Sequence, residues 1–248
     1  MKTSLISKTR TKVILSIAVL LMIAVLVIFY TYGRALWVPA VQKVVGKRTV
    51  GDIVQMHEAS VDRTLKPLFE KAGAQYPPQK ITLLAIKNTK HVELWSNDGI
   101  EPTFIRRYQV KAASGLLGPK LIEGDRQVPE GVYQLEYLNP NSAYHLSMKL
   151  NYPNAFDRKY AQLEGRDQPG TNIFIHGKSV SIGCLAMGDR AIEELFVLTA
   201  KIGRSNVTVA IAPSDPRLKS LENTTSKPWV DDLYQSLFTF FQPYKLEG

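Results

Sequence analysis

The sequence predicts a mainly β, α+β domain with peripheral helices, set behind one N-terminal membrane-spanning helix. Three observations carry that expectation. Residues 13–32 form an apolar run without a charge. A series of short β-branched and aromatic segments, punctuated by Asn, Gly and Pro, fills residues 81–212. Helical stripes of apolar residues flank that series on both sides.

At 1.5 Å per residue the apolar run is long enough to cross a bilayer core of about 30 Å. Lys2, Lys8, Arg10 and Lys12 precede it, which predicts a cytoplasmic N-terminus and translocation of everything after Gly33. Tyr30, Tyr32 and Trp37 fall at the outer interface. A cleaved export signal shares this order of charge and apolar residues. The run is longer than a usual signal core, however, and Tyr32-Gly33-Arg34 offers no small-x-small site. A retained anchor is therefore expected.

Residues 34–48 read as a basic connector. From there to residue 71, Val50, Ile53, Val54, Val61, Leu65, Leu68 and Phe69 recur at helical spacing, and Pro67 is expected to kink or split that helix. Strand signals follow at 81–86 and 91–95 around an Asn88-Thr89-Lys90 turn, then at 104–112, 132–138, 144–150, 172–176 and 206–212. Residues 151–170 read as a long polar loop without periodicity, a kind of segment that is often functional. Ile192, Leu195, Phe196, Thr199 and Ile202 make a helical stripe between Asp189 and Gly203, and Trp229, Leu233, Leu237 and Phe241 make another near the C-terminus.

The 248 residues carry a formal charge of +9, but the basic residues are dispersed and many stand near Asp or Glu. No basic stripe with interleaved aromatics appears, which argues against a nucleic-acid partner. An anionic membrane surface or an anionic polymer fits the charge better. Cys184 is the only cysteine, so an internal disulfide is excluded. Four scattered histidines and one cysteine show no ligand spacing, so neither a metal nor another cofactor is expected.

The chemically informative segment runs from Ile173 to Met187. It ends a strand on His176, passes through a loop of small residues, and presents Cys184 just before a helix. Thiol catalysis requires a thiolate, and an unperturbed cysteine is only a few per cent ionised at neutral pH. A histidine within reach supplies the base. Glycine beside the nucleophile lets the backbone approach a substrate, so that the N–H groups of Gly183 and Cys184 are candidate oxyanion donors. A buried, inert cysteine is the competing reading.

The pattern His176-Gly177 followed by Ser181-Ile182-Gly183-Cys184 resembles the signature of the L,D-transpeptidase (YkuD-type) catalytic domain. Upstream, Gly118-Pro119-Lys120, Glu123-Gly124-Asp125 and Pro129-Glu130-Gly131-Val132-Tyr133 resemble that family's Pro-x-Gly-x-Tyr region. Residues 151–158 and Gly183-Cys184-Leu185-Ala186-Met187 look closest to the YafK-like branch. The resemblance covers about residues 50–212. It implies a β-sandwich of the L,D-transpeptidase type, and a division into 1–33 (cytoplasmic tip and anchor), 34–78 (juxtamembrane linker and helical region), 79–213 (catalytic domain) and 214–248 (helical extension).

It also implies a cell-wall enzyme in the bacterial inner membrane, single-pass, with its catalytic domain in the periplasm. Cys184 attacks the carbonyl preceding a terminal D-alanine in a peptidoglycan stem peptide, with His176 as base, and an amine resolves the thioester. An envelope lipoprotein is a further candidate acceptor or substrate. Water in place of the amine makes the chain an L,D-carboxypeptidase or an amidase releasing peptidoglycan-linked protein. An inactive envelope scaffold is the third reading. Ser181 and Gly177 are expected near the site, and Asp157, Arg158 and His145 are weaker candidates for substrate contact. Three departures stand out. Ile182 and Ala186 occupy positions where many members carry histidine and arginine, and Gly177 leaves a backbone carbonyl to orient His176.

Overall fold

The apolar run folds within one long helix, α1 (Lys2–Tyr32), in a computed structural model that describes residues 2–245 and the side chains of residues 12–245. The side chains of Lys2, Lys8 and Arg10, and residues 246–248 of the expected C-terminal extension, lie outside the described residues. Its segment Lys12–Tyr32 is long and apolar enough to cross a membrane. The expected connector is instead a helix, α2 (Arg34–Val45). Its Ala, Leu, Val and Gln residues sustain helical structure despite Pro39. Tyr30 and Trp37 stack at 5.2 Å, with the Arg34 guanidinium 4.9 Å from the Trp37 ring. Helices α1 and α2 form one unit, Met1–Lys47, and the remainder forms a second, Arg48–Gly248.

The second unit opens on α3 (Val50–Lys71), started by a capping box in which Thr49 and Asp52 satisfy each other's backbone N–H. Pro67 neither breaks nor splits it. That residue is exposed, so the carbonyl it leaves unpaired lies on the wet face of the helix. The opposite face buries Ile53, Val61, Leu65 and Phe69, each worth about 1.5–3 kcal/mol of transfer free energy.

Eight strands follow: β1 (Ile81–Ile86), β2 (His91–Ser96), β3 (Thr103–Gln109), β4 (Gly131–Asn139), β5 (Ser147–Leu150), β6 (Phe174–His176), β7 (Leu185–Ala186) and β8 (Val207–Ala212). They link in the order β3-β2-β1-β8-β4-β5-β6-β7. Strand β4 turns the corner. Its first half pairs with β8, its second half pairs with β5, and the register shifts between Leu135 and Tyr137. Such an irregularity lets one strand serve two layers. The two ends of the order then meet, because Lys111 N–H and Ala112 bond to Ala186 of β7.

Alternation along β1 explains why all six of its residues are buried. Leu83 and Ala85 face a core shared with α3, with the second sheet half and with α5 (Asp189–Ile202). Leu84 and Ile86 face α6 (Trp229–Phe241), which contributes Trp229, Leu233, Leu237 and Phe241. Both α3 and α6 thus build the cores of the second unit. Near α6 lies a buried ion cluster. The Glu93 carboxylate is 2.9 Å from both Arg107 and Arg217, accepts from the Trp95 indole at 3.0 Å, and Arg217 also holds Asp215 at 2.7 Å.

Two local expectations are corrected. Residues 151–170 contain a helix, α4 (Ala155–Leu163), begun by a capping box between Asn154 and Asp157. The strand expected at 144–150 starts only at Ser147. His145 stands at φ +78, in the left-handed region that a strand excludes.

Candidate active site

Strand β6 ends on His176, and β7 begins directly after Cys184. The two strands run parallel, with Ile175 opposite Leu185 and His176 opposite Ala186. Cys184 is a bend residue one step before β7, and its sulfur takes a hydrogen bond from the Phe174 backbone, two residues before His176. The short β6–β7 pairing thus closes the loop that runs from His176 to Cys184.

The imidazole is buried, with the Tyr144 ring tilted against it at 4.9 Å between centroids. Its Nδ1 lies 2.6 Å from the Gly177 carbonyl. A carbonyl only accepts, so the shared hydrogen belongs to Nδ1, and the neutral ring keeps its lone pair on Nε2. Gly177 is glycine for lack of space. A Cβ there would stand 2.7 Å from the Tyr144 carbonyl oxygen and 2.9 Å from Asp189 Oδ1.

Cys184 is half-buried. Its sulfur meets the Asn172 carbonyl at 3.9 Å, and no hydrogen bond joins it to His176 among the described residues. Burial pushes the thiol above its ordinary range, against the opposing pull of the Phe174 backbone N–H and of the Lys120 charge. Burial also pushes His176 below its ordinary range, against the opposing Gly177 carbonyl. Both shifts favour the uncharged forms, so the resting pair at neutral pH is thiol beside imidazole.

The two expected oxyanion donors are occupied. Gly183 N–H donates to Ser114 Oγ at 2.6 Å, and Cys184 N–H donates to Ser181 Oγ at 3.1 Å. Each hydroxyl is itself spoken for. Ser114 donates to the Arg126 carbonyl at 2.8 Å and Ser181 to the Cys184 carbonyl at 2.6 Å. Gly183 has φ +87 and rests against Arg126 and Gln127, which ties the Cys184 loop to the 114–127 segment.

The weaker candidates separate. Arg158 lines a groove of about 620 Å³ together with Arg166, Pro153, Gly170 and Thr171, next in sequence to Asn172. The Asp157 carboxylate is turned into the capping box, accepting from Asn154 N–H at 2.9 Å, and burial raises its pKa to about 6. His145 Nε2 is 2.7 Å from Glu193 Oε1. Two residues near the sulfur escaped sequence reasoning. Ser114 carried no motif signal. Lys120 was named only within the Gly118-Pro119-Lys120 segment and without a role, yet its ammonium is buried, 2.5 Å from Asp125 and 2.8 Å from the Ile122 carbonyl. Gly170 makes room for it, since a Cβ there would sit 2.4 Å from Lys120 Cε.

Comparison with known proteins finds similar sequences and folds. YafK of Escherichia coli (strain K12), named as a candidate L,D-transpeptidase, is 28% identical over 187 residues, which are 72% of this chain and 74% of that protein. Among solved structures, a variant of the helical cell shape determining protein Pgp2 from Campylobacter jejuni aligns at 23% identity and a TM-score of 0.46, covering 66% of this chain. This chain spans little more than half of that one, 54%. Bd1075 of Bdellovibrio bacteriovorus aligns at 21% identity and a TM-score of 0.41, over 66% of this chain and 56% of its own. Likenesses at those scores carry no functional weight. The sequence model of the L,D-transpeptidase catalytic domain, YkuD, matches residues 81–211, which is more than half of the chain. The chain belongs to the YkuD family of L,D-transpeptidase catalytic domains.

Proposed function

We propose that the chain is a peptidoglycan L,D-transpeptidase working through a thioester on Cys184. The observation that supports this reading is the β6–β7 pairing, which closes the His176–Cys184 loop, with the ring held by the Gly177 carbonyl. In the proposed cycle Nε2 of His176 takes the thiol proton as the sulfur attacks the carbonyl before a terminal D-alanine. The C–N bond breaks, and the imidazolium returns that proton to the departing D-alanine amine. An incoming amine then attacks the thioester, loses its proton to the ring, and leaves the thiol restored.

The oxyanion needs donors. Gly183 and Cys184 N–H groups are suitable once the substrate oxygen displaces the Ser114 and Ser181 hydroxyls. Lys120, buried near the sulfur, favours negative charge there. In the same proposal Lys12–Tyr32 anchors the chain in the inner membrane, with the N-terminus cytoplasmic and the catalytic domain on the periplasmic side. That placement is supported by the apolar helix and by a family that acts on peptidoglycan.

The test is product analysis by mass spectrometry, using the full chain in detergent micelles with tetrapeptide muropeptides. D-alanine release with formation of a cross-linked or amine-exchanged product is expected only when an amine acceptor is supplied. Hydrolysed tripeptide as the sole product, even with acceptor present, would replace transfer by hydrolysis. Cys184→Ala is expected to lower turnover by more than about 10⁴-fold. Retained turnover in that variant would remove the nucleophile from the scheme.

A further inference from the structure

We infer that His57, His145 and Glu193 form a binding site for a divalent cation of the zinc class. The three residues come from α3, from the turn before β5 and from α5, and their donor atoms all lie within 4.8 Å of one another. His145 Nε2 is 2.7 Å from Glu193 Oε1, and His57 Nδ1 is 3.6 Å from Glu193 Oε2. The two rings meet edge to face, 6.2 Å apart. All three side chains are partly buried, with 17% exposure for His57, 21% for His145 and 25% for Glu193.

The His57 ring is also uncommitted. Among the described residues its Nε2 has no hydrogen-bond partner, and its Nδ1, 3.6 Å from Glu193 Oε2, is too far for a hydrogen bond. Its Nδ1 lone pair is thus free for a cation held between the three side chains.

The donor chemistry selects the cation. Two imidazoles and one carboxylate are a zinc donor set, whereas calcium and magnesium demand oxygen ligands. Bonds of about 2.0–2.2 Å place tetrahedral donors roughly 3.4 Å apart. Occupation therefore opens the His145–Glu193 contact slightly and draws His57 inward. Such shifts are within reach of side-chain torsions on the three elements. With three protein ligands, water takes the fourth position.

The site also touches the catalytic corner. Tyr144, whose ring rests on His176, immediately precedes His145. A Cβ on Gly177 would stand 3.1 Å from His145 Cβ. A cation holding His145 thus steadies the turn against which His176 packs, a positioning role apart from the thiol chemistry.

The experiment titrates the chelator-stripped full chain, in detergent, with Zn²⁺ by calorimetry and with Co²⁺ by visible absorption. One equivalent is expected for the wild type and equally for Cys184→Ala, which excludes the thiol as ligand. Glu193→Gln, His57→Gln and His145→Asn are each expected to weaken binding at least about tenfold. The inference is overturned by a lack of saturable uptake in Cys184→Ala, or by unchanged affinity in Glu193→Gln and His145→Asn. Should those variants fail to fold, diethylpyrocarbonate labelling of Cys184→Ala decides. Zn²⁺ is expected to protect His57 and His145 but not His91, and equal labelling with and without the cation would overturn the site.

Discussion

Glu93 is buried and Cys184 half-buried, and their surroundings treat charge in opposite ways. Around Glu93, His91 at 3.4 Å and two guanidiniums lower the carboxyl pKa, beside an indole N–H. Its pKa falls to about 2 despite burial. Around Cys184 burial prevails, the nearest cation acts from a distance through Lys120, and the thiol stays protonated. His176 is likewise held neutral. A buried charge that is fully paired is fixed and does structural work. A buried group kept neutral can take on charge when a substrate arrives, which a nucleophile and its base require.

The comparison can be broken most forcefully at the paired end. Arg217→Met leaves Glu93 with Arg107 as its remaining guanidinium partner and is expected to cost about 3 kcal/mol in urea unfolding of the full chain. The folded pKa of Glu93 lies below its ordinary value. Its stabilisation is therefore present at neutral pH and is lost as pH falls from about 4.5 to about 2. In Arg217→Met the folded pKa moves back toward its ordinary value, so that acid limb should shrink. A loss below about 0.5 kcal/mol would show that the cluster is not held as described.

At the neutral end, iodoacetamide alkylation of Cys184 is expected to rise about tenfold per pH unit from about pH 6 to about pH 8, without an acid plateau. Thiol above its ordinary range beside imidazole below it produces that single limb. A plateau between about pH 5 and 7 would mean a preformed thiolate–imidazolium pair, and the contrast with Glu93 would fail.

Asp157 gives the smallest effect and an intermediate case. Its carboxyl is partly buried, with hydrogen bonds but without a direct cation, and desolvation raises its pKa to about 6. The folded chain holds that proton more tightly than the unfolded chain does. Stability should therefore fall as pH rises from about 4 to about 6, by on the order of 1 kcal/mol, and stay level above. Asp157→Asn keeps the acceptor for Asn154 N–H and should lose this dependence. The check is the difference in urea midpoint between the two proteins across that range.

Much of the fold was legible because strand and helix periodicities are local. The β1–β2 hairpin, α5 and α6 all follow apolar spacing that the finished cores use. Helix α4 was missed because it lacks a clear apolar stripe. Its signal was the Asn154-to-Asp157 capping box, three residues apart. Helix α3 runs through Pro67 because exposure makes the lost bond tolerable, and exposure is not written in one residue.

The site divides the same way. His176 and Cys184 were visible from motif and spacing, and the Gly177 carbonyl that orients the ring was anticipated from a missing side chain. Lys120, Ser114 and the pairing of His57 and His145 through Glu193 depend on contacts between distant segments. No local pattern encodes those.

The two-residue strand β7 has a consequence of its own. Leu185 and Ala186 gain their hydrogen bonds from β6 on one side and from residues 111–112 on the other. The sulfur just ahead of them therefore takes its position from stretches that must travel far to find each other, and contacts of that kind are late to form. In the proposed cycle the solitary thiol lacks its positioned base until the loop of strands has closed. Chemical competence then coincides with completed folding.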